Sequence, residues 1–278
     1  MNLDALRTAW RDDGYFFVRE MVDVAQVKRV EEEVVATIRR DPPERHPGEI
    51  AYLSGADYFI YPETRPSASA VNAEERISKV FNCHVSGMTR EIAQRRDIVD
   101  IAAALLDDQD IDCFQSQFIF KNPGVIGQPW HQDSYYFRFN HQPQVGVWLA
   151  LSEATLENGC LWVVPGSHRR QVIFEHTPDR RPAANRGYQE IVDQEVSRQA
   201  PALMQPGDVL FFHSYLMHQS TDNVANVRRA AMVYHYGRAG TKALTPEIEV
   251  VLRNVNRWLP VRRKSGVAAA AQSRTAAR

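Results

Sequence analysis

Apolar residues recur at helical intervals in the first third of this chain and at strand-like intervals after it. Leu3, Leu6 and Trp10 mark one face of a helix over 3–12, which Asp13-Gly14 breaks ahead of the short apolar strand Tyr15 to Val18. Asp23 suits an N-cap, because its carboxylate can accept the free N–H groups of a first turn. Val27, Val30, Val34, Val35 and Ile38 then supply the buried stripe of a helix running to about Arg40. Residues 41–72, rich in Pro, Gly, Ser and Tyr, read as one long irregular loop or lid. A mixed stretch follows with Ile77, Lys79 and Val80, and Ile92 to Asp107 reads as a further helix through Ile98, Ile101 and Leu105.

From Ile111 the pattern becomes that of short strands punctuated by turns. Strands are expected at 111–121, closed by Asn122-Pro123-Gly124, at 144–152, and at 160–164, closed by Pro165-Gly166-Ser167. Residues 168–198 are polar and loop-like, and strands resume at 202–204, 209–212 and 230–236. Helices gathered ahead of many short strands predict a mainly β fold with helical cover, a sandwich or small barrel. The expected organisation is one domain over 1–261, with a helical front at 1–110 and a barrel at 111–240. The low-complexity tail 262–278 is expected to fray.

Composition narrows the function without naming it. With 33 basic and 34 acidic side chains in 278 residues, the charge balance argues against nucleic acid or an anionic membrane as the main partner. Cys83, Cys113 and Cys160 form no CxxC pair, which disfavours a disulfide scaffold and a structural zinc knot. No run of 18 apolar residues occurs, and Met1-Asn2-Leu3-Asp4 carries neither a basic nor an apolar leader pattern. The expectation is a cytoplasmic enzyme acting on a small molecule; the sequence leaves its oligomeric state open.

The candidate chemistry begins at Trp130-His131-Gln132-Asp133. If this segment is extended, His131 and Asp133 leave the same face, since strand side chains alternate. A lone His-x-Asp is commonly a hydrogen-bonded surface pair. What changes its weight is His218, delivered just past a strand introduced by Pro206-Gly207-Asp208. Two imidazoles and one carboxylate make the facial triad that leaves three coordination positions open on non-haem Fe(II). Eleven residues beyond His218, Arg229 begins another strand, placed to offer a guanidinium to a carboxylate. The same ligands could serve a zinc-dependent hydrolase, which would need a general-base carboxylate and has no use for Arg229. A metal-free binding protein is the third reading.

Taken in order, the segments Trp130 to Phe137, Val147 to Leu151, Asn158 to His168 and Gly207 through His218 to Arg229 resemble the phytanoyl-CoA dioxygenase family of Fe(II)/2-oxoglutarate-dependent oxygenases. The resemblance is close over roughly 111–240. It implies a double-stranded β-helix, the jelly-roll or cupin-like barrel, with N-terminal helices packed on it. It implies that His131, Asp133 and His218 bind Fe(II), and that Arg229 and Ser220 hold the distal carboxylate of 2-oxoglutarate, with Arg228 as the alternative register. Lys79 resembles a family lysine that reaches this cosubstrate, and Trp148 lies on a matching strand that lines the pocket. The implied reaction consumes O2 and 2-oxoglutarate, releases succinate and CO2, and hydroxylates an aliphatic carbon. Related halogenases carry a small residue where Asp133 stands, so hydroxylation is favoured over halogenation, while desaturation, cyclisation and epimerisation share the oxidative step. Gln117, a polar residue alternating with Gln115 on an otherwise apolar strand, is a further pocket candidate. His213 reads as a core or supporting histidine, His141, His168 and His176 as loop residues, and the Tyr52, Tyr58, Phe59 and Tyr61 cluster as a lid or a loop anchor.

Overall fold

The computed structural model describes residues 2–53, 58–252 and 256–264. In chain order it forms α1 (Leu3–Asp12), β1 (Tyr15–Val18), α2 (Val24–Arg40), β2 (Ala51–Tyr52), β3 (Phe59–Pro62), β4 (Ile77–Phe81), α3 (Gly87–Ala93), α4 (Arg96–Leu106) and β5 (Ile111–Lys121). There follow α5 (Asp133–Tyr136), β6 (Val145–Ala150), β7 (Leu161–Val163), β8 (His176–Pro178), β9 (Gln189–Ile191), β10 (Ala200–Ala202), β11 (Val209–His213), β12 (His218–Ser220), β13 (Arg229–Arg238), α6 (Pro246–Leu252) and β14 (Leu259–Arg262).

A nine-stranded sheet ordered β1-β11-β6-β13-β5-β4-β3-β2, with β14 also on β5, faces a three-stranded sheet ordered β10-β7-β12. The pairings are antiparallel, and among the described residues no ladder closes the two sheets into a barrel. The jelly-roll sandwich is present as expected, open rather than closed.

Alternation along the central strands assigns their two faces. Val145, Val147 and Leu149 of β6 and Ala230, Met232 and Tyr234 of β13 pack with Val30, Ile98 and Ile101 of the helices. Their neighbours Trp148, Ala150, Ala231 and Val233 face the small sheet, against Leu161, Val163 and Ala202. Arg229 and His235 share this inward row of β13 by the same period of two. On β5 the register slips opposite His235/Tyr236: Gln115 pairs with His235 but Cys113 pairs with Tyr236, so Phe114 is an extra residue. This β-bulge moves Cys113 to the helix side and leaves Gln115, Gln117, Ile119 and Lys121 facing inward.

The first two helices match the sequence reading, with Asp23 accepting from the Ala25 N–H at 2.7 Å. Other expectations need correction. The single helix at 92–107 is two: α3 ends at Ala93, and the Arg95 guanidinium at the break bonds Gln26, the Met21 carbonyl and Asp97. The loop at 41–72 contains β2 and β3, and 168–198 contains the β8–β9 hairpin, each strand too short to show a period. The helical front therefore contributes four strands to the large sheet. The strand expected at 202–204 lies at Ala200–Ala202. The supposed tail is ordered at its start, since β14 pairs with β5 and Arg262 bonds Gln109; residues 265–278 lie outside the described part. No described helix is long and apolar enough to cross a membrane.

Candidate metal centre and anion pocket

His131 and His218 sit opposite one another at the edge of the small sheet, each donating its backbone N–H to the other's carbonyl, at 2.9 and 3.0 Å. Gln132 is extended, so Asp133 follows on the same side as His131, at the first position of α5. Both ring orientations are fixed from behind. His131 Nδ1 donates to the Pro129 carbonyl at 2.8 Å and His218 Nδ1 to the Leu216 carbonyl at 3.0 Å. A carbonyl only accepts, so each Nδ1 carries the hydrogen and each Nε2 presents a lone pair. Those two nitrogens lie 3.9 and 3.7 Å from Asp133 Oδ1. That is beyond hydrogen-bond range, and no proton donor stands between them. The three ligand atoms fall within 4.8 Å of one another, and among the described residues they form the single such group able to hold a metal ion.

Electrostatics favour the same use. Burial pushes the Asp133 carboxyl up, yet His218, His235 and His131 around it outweigh that and hold it below the usual carboxylate range. Burial, then the neighbouring His218, keeps His131 well below an ordinary imidazole. A neutral imidazole beside an ionised carboxylate is the ligand state that a divalent cation requires.

Beyond this centre a chamber runs between the sheets toward Arg229, which is buried at 1% exposure. Its Nη2 donates to the Gly159 carbonyl at 3.0 Å, while Nε and Nη1 have no partner. Burial pulls this guanidinium down to about 10, which still leaves it charged at neutral pH. Trp148 lies under it, 5.4 Å from ring centre to guanidinium carbon, and its indole N–H is likewise unpartnered. Ser220 Oγ accepts from Lys121 Nζ at 3.0 Å and from the Gln128 N–H at 3.1 Å, so its own hydrogen is left to donate. Lys121 also bonds the Thr221 carbonyl at 2.8 Å, and burial followed by the charge of Arg229 depresses its ammonium well below an ordinary lysine. Two glycines make these close approaches feasible. A Cβ on Gly127 would stand 1.8 Å from the Ser220 carbonyl oxygen, and Gly159, at φ +81°, would place one 2.6 Å from Lys121 Cδ. Arg228 points the other way and pairs with Glu31 of α2.

Lys79 reaches the chamber from β4, donating to Gln128 Oε1 at 2.8 Å. Burial lowers it to about 8, against the pull of Asp133 and Glu63. Gln117 lines both the chamber and a wider vestibule outside it, and its amide donates to Gln115 at 2.8 Å. The aromatic cluster splits: Tyr61 lines the vestibule, Tyr58 and Phe59 are buried, and Tyr52 is exposed. His213 is a core residue against Trp10 and His168. His168 is buried rather than in a loose loop, and His176 lies on β8, stacked on Tyr135 at 4.1 Å. Sequence reasoning missed His235, whose Nε2 lies 2.9 Å from Asp133 Oδ2, together with Lys121 and Glu63. A parity argument could have found the first two, because His235 lies six residues from Arg229 and Lys121 four from Gln117.

The geometry can be set beside known proteins. The family model described as phytanoyl-CoA dioxygenase matches residues 10–231. The phytanoyl-CoA dioxygenase 1 of Oryza sativa subsp. japonica is 37% identical over 128 residues, 44% of this chain and 43% of that protein. The chain spans about half the length of the curated relatives it matches. Among solved structures, the non-heme monooxygenase ThoJ superposes with a TM-score of 0.67 at 20% identity, covering 93% of this chain and 84% of that one. The epimerase SnoN, in complex with Fe3+, alpha ketoglutarate and nogalamycin RO, gives 0.60 at 19% identity, covering 89% of each. At such identities the likeness is one of fold.

Proposed function

The chain belongs to the phytanoyl-CoA dioxygenase family, and from that premise we propose that it is an Fe(II)/2-oxoglutarate-dependent dioxygenase hydroxylating an aliphatic carbon of a small or medium-sized metabolite. His131, Asp133 and His218 would hold the iron, whose open positions supply oxygen activation. The observation that carries this reading is the pairing of two unmet needs in one cavity. Three electron-pair donors converge with no proton between them, and a buried guanidinium next door has two N–H groups with no acceptor. A cation answers the first need and a carboxylate the second.

Each residue's part follows from its geometry. Arg229, Ser220 and the Trp148 indole would bind the distal carboxylate of 2-oxoglutarate, and Lys79 adds positive charge along its length. Aromatic walls at Tyr135, Tyr136 and Tyr188 would exclude water from the vestibule where the substrate carbon waits. Asp133 fills the position that a halide would need, which supports hydroxylation. A zinc hydrolase on the same ligands leaves the two free N–H groups of Arg229 unexplained. The test is anaerobic addition of Fe(II) and 2-oxoglutarate: a weak visible charge-transfer band, followed by substrate-dependent succinate release in air, is the expected outcome. Tight zinc binding with no such band would overturn it.

A further inference from the structure

We propose that His235 is a positioning residue that holds Asp133 to a single metal-facing oxygen and so keeps the positions needed by the cosubstrate open. This rests on the metal site proposed above and extends it to a residue that touches neither metal nor substrate.

His235 lies on the inward row of β13 at 1% exposure. Its ring is boxed by Phe137, Phe114 and Phe212 at 4.8, 6.0 and 6.4 Å between centroids. The box offers no hydrogen-bond acceptor, and His235 Nδ1 has no partner at all. The side chain therefore has one polar contact, Nε2 to Asp133 Oδ2 at 2.9 Å, in which the nitrogen must donate because an ionised carboxylate only accepts. Leaving one ring nitrogen buried and unpaired costs stability. A core position with no task would more cheaply be a phenylalanine.

The consequence lies at the other oxygen. Asp133 Oδ1 faces His131 and His218 at 3.9 and 3.7 Å, while Oδ2 is turned away and engaged. A carboxylate chelates a cation with both oxygens only if both can turn toward it. With Oδ2 held by His235, Asp133 would offer a bound cation one oxygen rather than two and would leave the cation's remaining positions to other ligands. Without the restraint the second oxygen could swing in and compete with a bidentate keto acid.

The experiment compares His235→Phe, which keeps an aromatic ring in the box, His235→Leu as a smaller replacement should the first misfold, and His235→Gln, which restores an N–H donor. Two quantities are read anaerobically on the full chain: Fe(II) affinity by chelator competition, and 2-oxoglutarate affinity from the visible band of the iron complex. The expected result is that Phe or Leu leaves Fe(II) affinity unchanged or tighter but weakens 2-oxoglutarate about tenfold, and that Gln restores most of the loss. The proposal is overturned if 2-oxoglutarate binds the Phe and Leu variants as it binds wild type. It is equally overturned if Fe(II) and 2-oxoglutarate affinities fall together, or if Gln fails to rescue. Failure of the wild type itself to bind Fe(II) would sink the metal site and this inference with it, whereas an intact wild type with unaffected variants sinks only the role of His235.

Discussion

The two ends of the central cavity are chemical opposites. At one end His131, Asp133 and His218 present lone pairs with no proton among them; at the other Arg229 and Trp148 present N–H groups with no lone pair to meet. Each end alone is expensive to bury, since a buried polar group without a partner costs about 1–3 kcal/mol. Side by side, they are complementary to a cation at one end and an anion at the other. The difference teaches that polar atoms left unsatisfied by the fold are as informative as those it satisfies, because their sign identifies what completes them.

The comparison can be broken most severely at the metal end. His131→Ala is expected to abolish succinate formation and Fe(II) binding, and calorimetric titration with Fe(II) under argon checks it. At the anion end, Arg229→Ala should leave Fe(II) affinity intact while raising the KM for 2-oxoglutarate by about a hundredfold, in line with losing a charge-assisted pair worth ~1.5–3 kcal/mol. Equal damage to both affinities would show that the two ends are not separable.

Lys79 lies between the ends and sharpens the contrast through pH. Burial lowers it to about 8, so in the free enzyme it is charged below that pH and loses its proton above it. For 2-oxoglutarate, kcat/KM should fall as pH rises through about 8, and the limb should vanish in Lys79→Met. Stability carries the opposite sign. Because its folded value lies below that of an unfolded lysine, stability should climb between about pH 8 and 10.5, the range in which only the unfolded chain holds the proton. Thermal melts of wild type and Lys79→Met across that range read this directly. The smallest effect belongs to Arg228→Ala, which removes a partly exposed pair with Glu31 outside the cavity. Stability should drop by under about 1 kcal/mol with 2-oxoglutarate affinity unchanged; a large affinity loss would move the anion end to the wrong face of β13.

Much of this was legible in the sequence where the chain repeats itself. The bounds of α1 follow from apolar periodicity and the Asp13-Gly14 break, those of α2 from periodicity and its Asp23 cap, and the length of β5 from its closing turn. The order of motifs along the chain already groups His131, Asp133, His218 and Arg229. What escaped notice was short or lacked a local signal. The break between α3 and α4 has neither Gly nor Pro; it is held by Arg95 reaching Met21 and Gln26 some seventy residues earlier. Strands of two to four residues, such as β2, β3 and β8, cannot display alternation. His235 is one polar letter in an apolar run, and its meaning exists only across the sheet, at Asp133.

The bulge at Phe114 has a consequence for how this chain could change over generations. A strand is read in frames of two, and one extra residue shifts the frame, so the segments before and after 114 obey separate rules. Deleting Phe114 alone would close the bulge and keep both frames, with Cys113 still toward the helices and Gln115 still inward, and would lose its ring packing on Phe137 and Phe139. Deleting Ser116 instead would make Gln115 and Gln117 neighbours and turn Gln115 from the cavity toward the helices. Losses of one residue along β5 beyond the bulge should be purged far more strictly than substitutions, much as a coding frame tolerates altered letters better than missing ones.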